Sequence, residues 1–185
     1  MKNFMKIGIT LALICAAAAS TLALINGITA PAIAQYEQGI VVQALSEVSN
    51  GLTIGALTED TGDKTVASFY RLTDPNGTVA GYIRQLKATG YGGSMSVMVS
   101  YNTLGEVLNA KLLANAETPG LGKKAESKEY MGKFIGTGSM MPVPVKKTEL
   151  DKDSAESIGG ATVTFSGIAK AISQGSAFIK TLGGK

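Results

Sequence analysis

The chain has no histidine, no tryptophan and a single cysteine. Each absence removes a class of chemistry. Without histidine there is no Ser-His-Asp or Cys-His nucleophile, no His-ligated zinc and no axial-His haem. The lone Cys15 can neither close an internal disulfide nor hold an iron–sulfur cluster by itself. The composition yields no metal-ligand set and no catalytic constellation, so any redox chemistry falls to an organic cofactor. Charged residues are also scarce, at 17% against 45% hydrophobic, a poor ratio for a soluble domain. Basic residues form no stripe with interleaved aromatics, so there is no nucleic-acid footprint. The pairs Lys123-Lys124 and Lys146-Lys147 read as solvated loop charges.

Charge is missing altogether from one long stretch. After Lys6 the next charged residue is Glu37. Within that stretch residues 7–28 (IGITLALICAAAASTLALINGI) are predominantly apolar and would extend roughly 33 Å as a helix, about the thickness of a hydrocarbon core. Lys2 and Lys6 precede it, and no Lys or Arg follows until Lys64. A cytoplasmic N-terminus with the main domain outside the cell membrane follows from the positive-inside rule. The alternative is a cleaved signal peptide, for which Ala32-Ile33-Ala34 has the small-x-small form of a cleavage site. Against cleavage, the apolar region exceeds the roughly 7–15 residues of an ordinary signal core. Of 17 basic residues, Lys2 and Lys6 belong to this topology signal, leaving 15 against 14 acidic, a nearly neutral remainder.

The sequence divides into a cytoplasmic tip with a transmembrane anchor (1–34) and a domain (35–185) long enough for a proper core. Pro31 is expected to end the membrane helix. Tyr36, Ile40, Val41, Leu45 and Val48 recur at helical spacing and predict a separate short helix over 36–48, stopped by Asn50-Gly51. Strands are expected at 65–72 and 78–86 around the turn Asp74-Pro75-Asn76-Gly77, and at 94–101 and 106–114 around Asn102-Thr103-Leu104-Gly105. Met95, Val97 and Val99 alternate with Ser96, Met98 and Ser100, which predicts one apolar face. A helix is possible over 125–134. A last helix over 164–182 gathers Phe165, Ile168, Ala169, Ile172 and Ile179 on one side. Hairpins followed by helices give an α+β fold, a hairpin-rich sheet with helices.

Three glycine-bearing segments carry more than turn chemistry. They are Thr89-Gly90-Tyr91-Gly92-Gly93 before a strand, Glu117-Thr118-Pro119-Gly120-Leu121-Gly122 after the second hairpin, and residues 156–164 (ESIGGATVT) opening the last helix. In the third, Gly159, Gly160 and Ala161 remove side-chain bulk, and Thr162 and Thr164 place hydroxyls at a helix start. Such a start offers free N–H groups and the positive end of the helix dipole, which suits a phosphate. The plainer alternative is that Thr162 or Thr164 only caps the helix.

With ITAPAIA after the apolar helix, GYGGSMSVMV, ANAETPGLG and GGATVT in that order, the chain resembles the FMN-binding-domain family. That family includes the G subunit of the Rnf electron-transport complex and the C subunit of the sodium-translocating NADH:quinone reductase. The resemblance implies FMN attached through a phosphoester to the last residue of a D-x-x-[S/T]-G-A-[T/S] motif. Carried over, Thr162 is the phosphoryl acceptor after Gly160 and Ala161, with Thr164 as the fallback. Glu156 and Gly159 stand where the family has Asp and Ser or Thr. On the physical reading we expect Glu117 and Thr118 to offer polar contacts to the cofactor, Leu121 to pack on the flavin ring, and Gly92, Gly93, Gly120 and Gly122 to give access; the plainer alternative for these glycines is ordinary tight turns.

The function so implied is a covalent-FMN electron carrier in a membrane-bound, ion-translocating ferredoxin:NAD⁺ oxidoreductase. Its partners would be the membrane flavin and iron–sulfur subunits, with a flavin transferase for maturation. The alternatives are a stand-alone extracytoplasmic flavoprotein of the same family, or a pilin-like or ligand-binding module without redox activity.

Overall fold

The computed structural model describes residues 2–60 and 67–183. By its internal contacts the chain forms two compact units, Met1–Val41 and Val42–Lys185. Helix α1 (Lys2–Val48) begins in the first and ends in the second. Phe4, Ile9, Leu13, Leu22, Ile25 and Ile33 in the first unit are each more than half exposed. A helix that is apolar all round belongs in a protein core or a membrane. The segment is long and apolar enough to cross a membrane, and Cys15 is exposed on it.

The expected break at Pro31 does not occur: Pro31 lies inside α1, and the short helix expected over 36–48 is its continuation. A helical proline withdraws one N–H donor, here from the carbonyl four residues back, and leaves the flanking turns free to stay helical. The helix ends where Asn50 (φ 52°) and Gly51 (φ 81°) turn into the left-handed region.

The second unit is built on a five-stranded antiparallel meander in the order β1-β2-β3-β4-β5. The strands are β1 (Thr53–Asp60), β2 (Ala67–Thr73), β3 (Val79–Thr89), β4 (Ser94–Asn102) and β5 (Val107–Ala114). Residues 65 and 66 of the expected first strand lie outside the described residues. Both anticipated turns use an acceptor side chain. Asp74 Oδ1 accepts from the N–H groups of Asn76 and Thr78 at 2.9 and 2.8 Å. Asn102 Oδ1 accepts from Leu104 and Glu106, both at 2.9 Å. Gly77 (φ 82°) and Gly105 (φ 79°) supply the left-handed residue of each turn.

Helix α4 (Thr162–Gly183) lies on one face of the sheet. Phe165, Ile168, Ala169, Ile172 and Ile179 are buried against Tyr82, Leu86, Met95, Val97, Val99 and Tyr101. The Tyr101 hydroxyl donates to the Ile172 carbonyl at 2.9 Å. The other face is buried too. Met98 and Ser100 are as inaccessible as the residues alternating with them, and Ala44 and Val48 at the end of α1 are fully buried. Lys111 Nζ pairs with Glu47 at 2.7 Å, and Asn109 Nδ2 donates to the Glu47 carbonyl at 3.1 Å. The single apolar face expected of 94–101 is therefore two buried faces, because both sides of the central strand are covered.

The helix expected over 125–134 is split into a 3₁₀ turn (Gly122–Glu126) and α2 (Lys128–Gly132), with Ser127 capping the latter. Beneath α4, Phe134 stacks on Phe165 with ring centroids 5.2 Å apart. A further short helix, α3 (Lys152–Ser157), capped by Asp151, precedes the glycine turn into α4.

Candidate functional site

The three glycine segments meet at the N-terminal end of α4. Its entry is a tight turn: Gly159 N–H donates to the Glu156 carbonyl and Ala161 N–H to that of Ile158, both at 2.9 Å. Gly160 holds φ 82° between them. Phe165 N–H donates to the Ala161 carbonyl at 3.0 Å, which makes Ala161 the cap residue and Thr162 the first residue within the helix. Alanine has no side-chain oxygen to cap with, so the side chain at the cap position satisfies none of the first N–H groups. Neither threonine is the cap. Thr162 is exposed, whereas Thr164, two residues on, is buried and its hydroxyl donates to Glu117 Oε2 at 2.8 Å.

Thr162 opens onto a groove of ≈510 Å³ between α4 and the end of β3, lined by Thr89, Ser166, Gly167, Lys170 and Gln174 among others. Gly167 seats the helix there, since a Cβ at that position would run into the Thr89 carbonyl. On the other side of the turn, Leu121 lies over Gly160, where an added Cβ would come within 2.7 Å of Leu121 Cδ2. Leu121 is itself 43% exposed, as are Val163 (56%) and Tyr91 (79%). Large apolar surfaces left in solvent beside a helix start with no side-chain cap suit the ring of a flavin phosphate. The residues present therefore fit FMN: an accessible acceptor hydroxyl, helix N–H groups without a side-chain cap, a groove of ligand size and exposed apolar side chains.

The remaining candidates divide by what they touch. Glu117 is buried, with Oε1 accepting from Gly92 N–H at 3.0 Å and Oε2 from Thr164. Both oxygens thus face the protein, although the sequence assigns them to a cofactor. Thr118 is exposed, and its carbonyl accepts from the N–H groups of Leu121 and Lys123. Gly92 packs on the Ala116 carbonyl, where no side chain fits, while Gly93 (φ 127°) and Gly120 (φ 81°) serve the bends of their loops. Sequence reasoning missed Tyr91, Val163 and Gly167, although an exposed tyrosine between glycines was a visible signal. Beside the site, the Tyr130 hydroxyl is buried without a hydrogen-bond partner. Burial pushes its pKa well above the ordinary phenol range, and the nearby Glu117 adds to the rise.

Residues 90–176, the span from the first glycine segment into α4, match the FMN-binding domain family. The G subunit of an ion-translocating oxidoreductase complex from Shewanella baltica is 34% identical over 109 residues, 56% of this chain and 50% of that protein. The corresponding Shewanella oneidensis protein is equally similar, so the chain spans about half the length of these curated relatives. The G subunit of the like-named complex from Yersinia pestis is 25% identical over 98% of this chain and 93% of its own. In Clostridium ljungdahlii, the G subunit of a proton-translocating ferredoxin:NAD(+) oxidoreductase complex is 27% identical over 63% of each. Among solved structures, Shewanella oneidensis NqrC superposes with a TM-score of 0.47 at 14% identity, over 67% of this chain and 70% of that one. The domain that brings the three glycine segments to the start of α4 is thus similar, over residues 90–176, to the FMN-binding domain.

Proposed function

We propose that the chain carries FMN as a phosphoester on Thr162 and works as an electron-carrier subunit of a membrane-bound, ion-translocating oxidoreductase complex. When bound, FMN supplies one- and two-electron transfer, the redox capacity that a chain without histidine and with one cysteine lacks. The chain's own part is placement. The observation that carries the proposal is the exposed Thr162 hydroxyl at the first position of a long helix whose cap residue has no side-chain oxygen. The N–H groups of that turn and the helix dipole favour the single negative charge of a phosphodiester formed at the hydroxyl. Leu121, Val163 and Tyr91 would hold the ring. A covalent tether keeps the flavin on a domain outside the cell membrane, where a dissociated cofactor would be lost.

Helix α1 would anchor the chain in the cell membrane with a cytoplasmic N-terminus. It contains no charged residue between Lys6 and Glu37, so the ion path would belong to other subunits. The partners would be flavin and iron–sulfur subunits of an Rnf-type complex coupling ferredoxin oxidation to NAD⁺ reduction, in keeping with the name of the Clostridium relative. A flavin transferase would attach the cofactor.

The test is production of the full chain with a flavin transferase, followed by flavin fluorescence of the denatured protein in a gel. Wild type and Ser166→Ala should fluoresce, and Thr162→Val should be dark. Fluorescence retained by Thr162→Val would move the attachment elsewhere. A dark wild type beside a fluorescent control protein would remove the covalent-flavin function.

A further inference from the structure

Glu117 is the only buried acidic or basic side chain among the described residues, at 4% exposure. Its carboxylate joins three separate stretches of chain. Oε1 receives the Gly92 N–H of the loop before β4, at 3.0 Å. Oε2 receives the Thr164 hydroxyl of the first turn of α4, at 2.8 Å. The third stretch is its own loop, where Glu117 N–H donates to Asn115 Oδ1 at 3.0 Å.

Glycines close the space around the carboxylate. A Cβ at Gly90 would collide with Oε1 and one at Gly122 with Oε2, and the latter would also lie 2.7 Å from Glu117 Cβ. Gly122, which the sequence offers as cofactor access, therefore serves in part to admit this carboxylate. A buried carboxylate accepting two such bonds fixes whatever donates them, because any movement leaves a charged group without a partner.

We infer that Glu117 is a positioning residue for the Thr162 acceptor: by holding Thr164 and Gly92 on its two oxygens it locks the first turn of α4 to both glycine loops, and it does not touch the flavin. The inference rests on the proposal that FMN is attached at Thr162, but the lock itself can be read without flavin. Thr164 is then the residue through which Glu117 acts on the helix start, not a second acceptor.

The experiment compares full-length Glu117→Ala, Glu117→Gln, Thr164→Val and the Glu117→Ala/Thr164→Val double variant with wild type. Backbone amide hydrogen exchange is measured without transferase over 89–93, 117–122 and 160–164. The flavinylated fraction at Thr162 is measured by mass under limiting transferase. Glu117→Ala should speed exchange in all three segments by about tenfold or more, the scale of one lost bond to a charged acceptor, and should lower the flavinylated fraction. Thr164→Val should lower that fraction in the same direction, and the double variant should be no worse than Glu117→Ala, since both remove the same bond. Glu117→Gln should recover most of the wild-type behaviour. Its amide oxygen can accept from Gly92, and its NH₂ can donate to the Thr164 hydroxyl, which turns to accept.

Exchange confined to 117–122 in Glu117→Ala would overturn the inference, as would additive losses in the double variant. A shifted flavin spectrum in a fully flavinylated Glu117→Gln protein with unchanged exchange would also overturn it, by showing that Glu117 contacts the ring. Should Glu117→Ala fail to fold, Glu117→Gln and Thr164→Val still decide the matter. An unmodified wild type would defeat the attachment at Thr162, while the exchange data would still judge the lock.

Discussion

Gly167→Ala sets helix propensity against packing, and the two predict opposite signs. In an unencumbered helix interior, replacing glycine by alanine stabilises by about 1 kcal/mol. Here the new Cβ would overlap the Thr89 carbonyl oxygen, lie 3.0 Å from its carbonyl carbon and come 3.6 Å from Met95 Cε. The methionine can move, but the carbonyl belongs to the last residue of β3 and cannot rotate aside. Helix α4 must then lift from the sheet at the end that carries Thr162. Overpacking of this kind costs about 1–3 kcal/mol. After the propensity gain the net effect is a destabilisation of up to about 2 kcal/mol. In a domain of this size each kcal/mol lowers Tm by roughly 3–4 °C. Thermal unfolding of the detergent-solubilised full chain, followed by far-ultraviolet circular dichroism, reads the result. A Tm lowered by several degrees agrees with the seating of α4 on β3. A raised Tm would refute it, because it would mean that the helix start has open space beside Thr89.

Three other outcomes follow from the same geometry. Gly160→Ala forces a non-glycine residue to φ 82° and displaces Leu121 from a 2.7 Å approach; it should cost about 1–2 kcal/mol in urea unfolding, and a neutral result would contradict the strained turn. Tyr130→Phe removes a buried hydroxyl without a partner, so stability should hold or rise by up to about 1 kcal/mol, whereas a clear loss would reveal a hydrogen bond to that hydroxyl. The Ser154 backbone N–H bonded to Asp151 holds this carboxyl below its ordinary value of 3.8. Its capping contribution to α3 is therefore complete above that value and fades as pH falls through the lower folded-state pKa. Asp151→Asn keeps a cap oxygen that does not titrate, so the Tm difference between the two proteins should change only in that acidic range; a difference independent of pH would refute it.

What the sequence makes legible is local. Asp74, Gly77, Asn102 and Gly105 announce both hairpin turns because each acts within its own four residues. The apolar stripe of α4 is visible because one helix carries it. Pro31 misleads because a proline's local cost does not decide whether an apolar helix resumes beyond it. The one-faced reading of β4 fails for a tertiary reason, the end of α1 and the polar anchors Asn109 and Lys111 covering the second face. Edge strand β1, with weak alternation and a bulge between Ile54 and Leu57, leaves little periodic signal. At the candidate site, the glycine turn into α4 is readable from Gly159, Gly160 and Ala161, which are contiguous. The environment of Glu117 is not, since its partner Thr164 is 47 positions away.

The most direct test of the account is the mass of the full chain isolated from a host with an active flavin transferase, followed by mapping of the modified peptide. The account predicts an increase of roughly 440 Da, one FMN less one water, located on Thr162. An unmodified mass, or the same increase on any other residue, would contradict it.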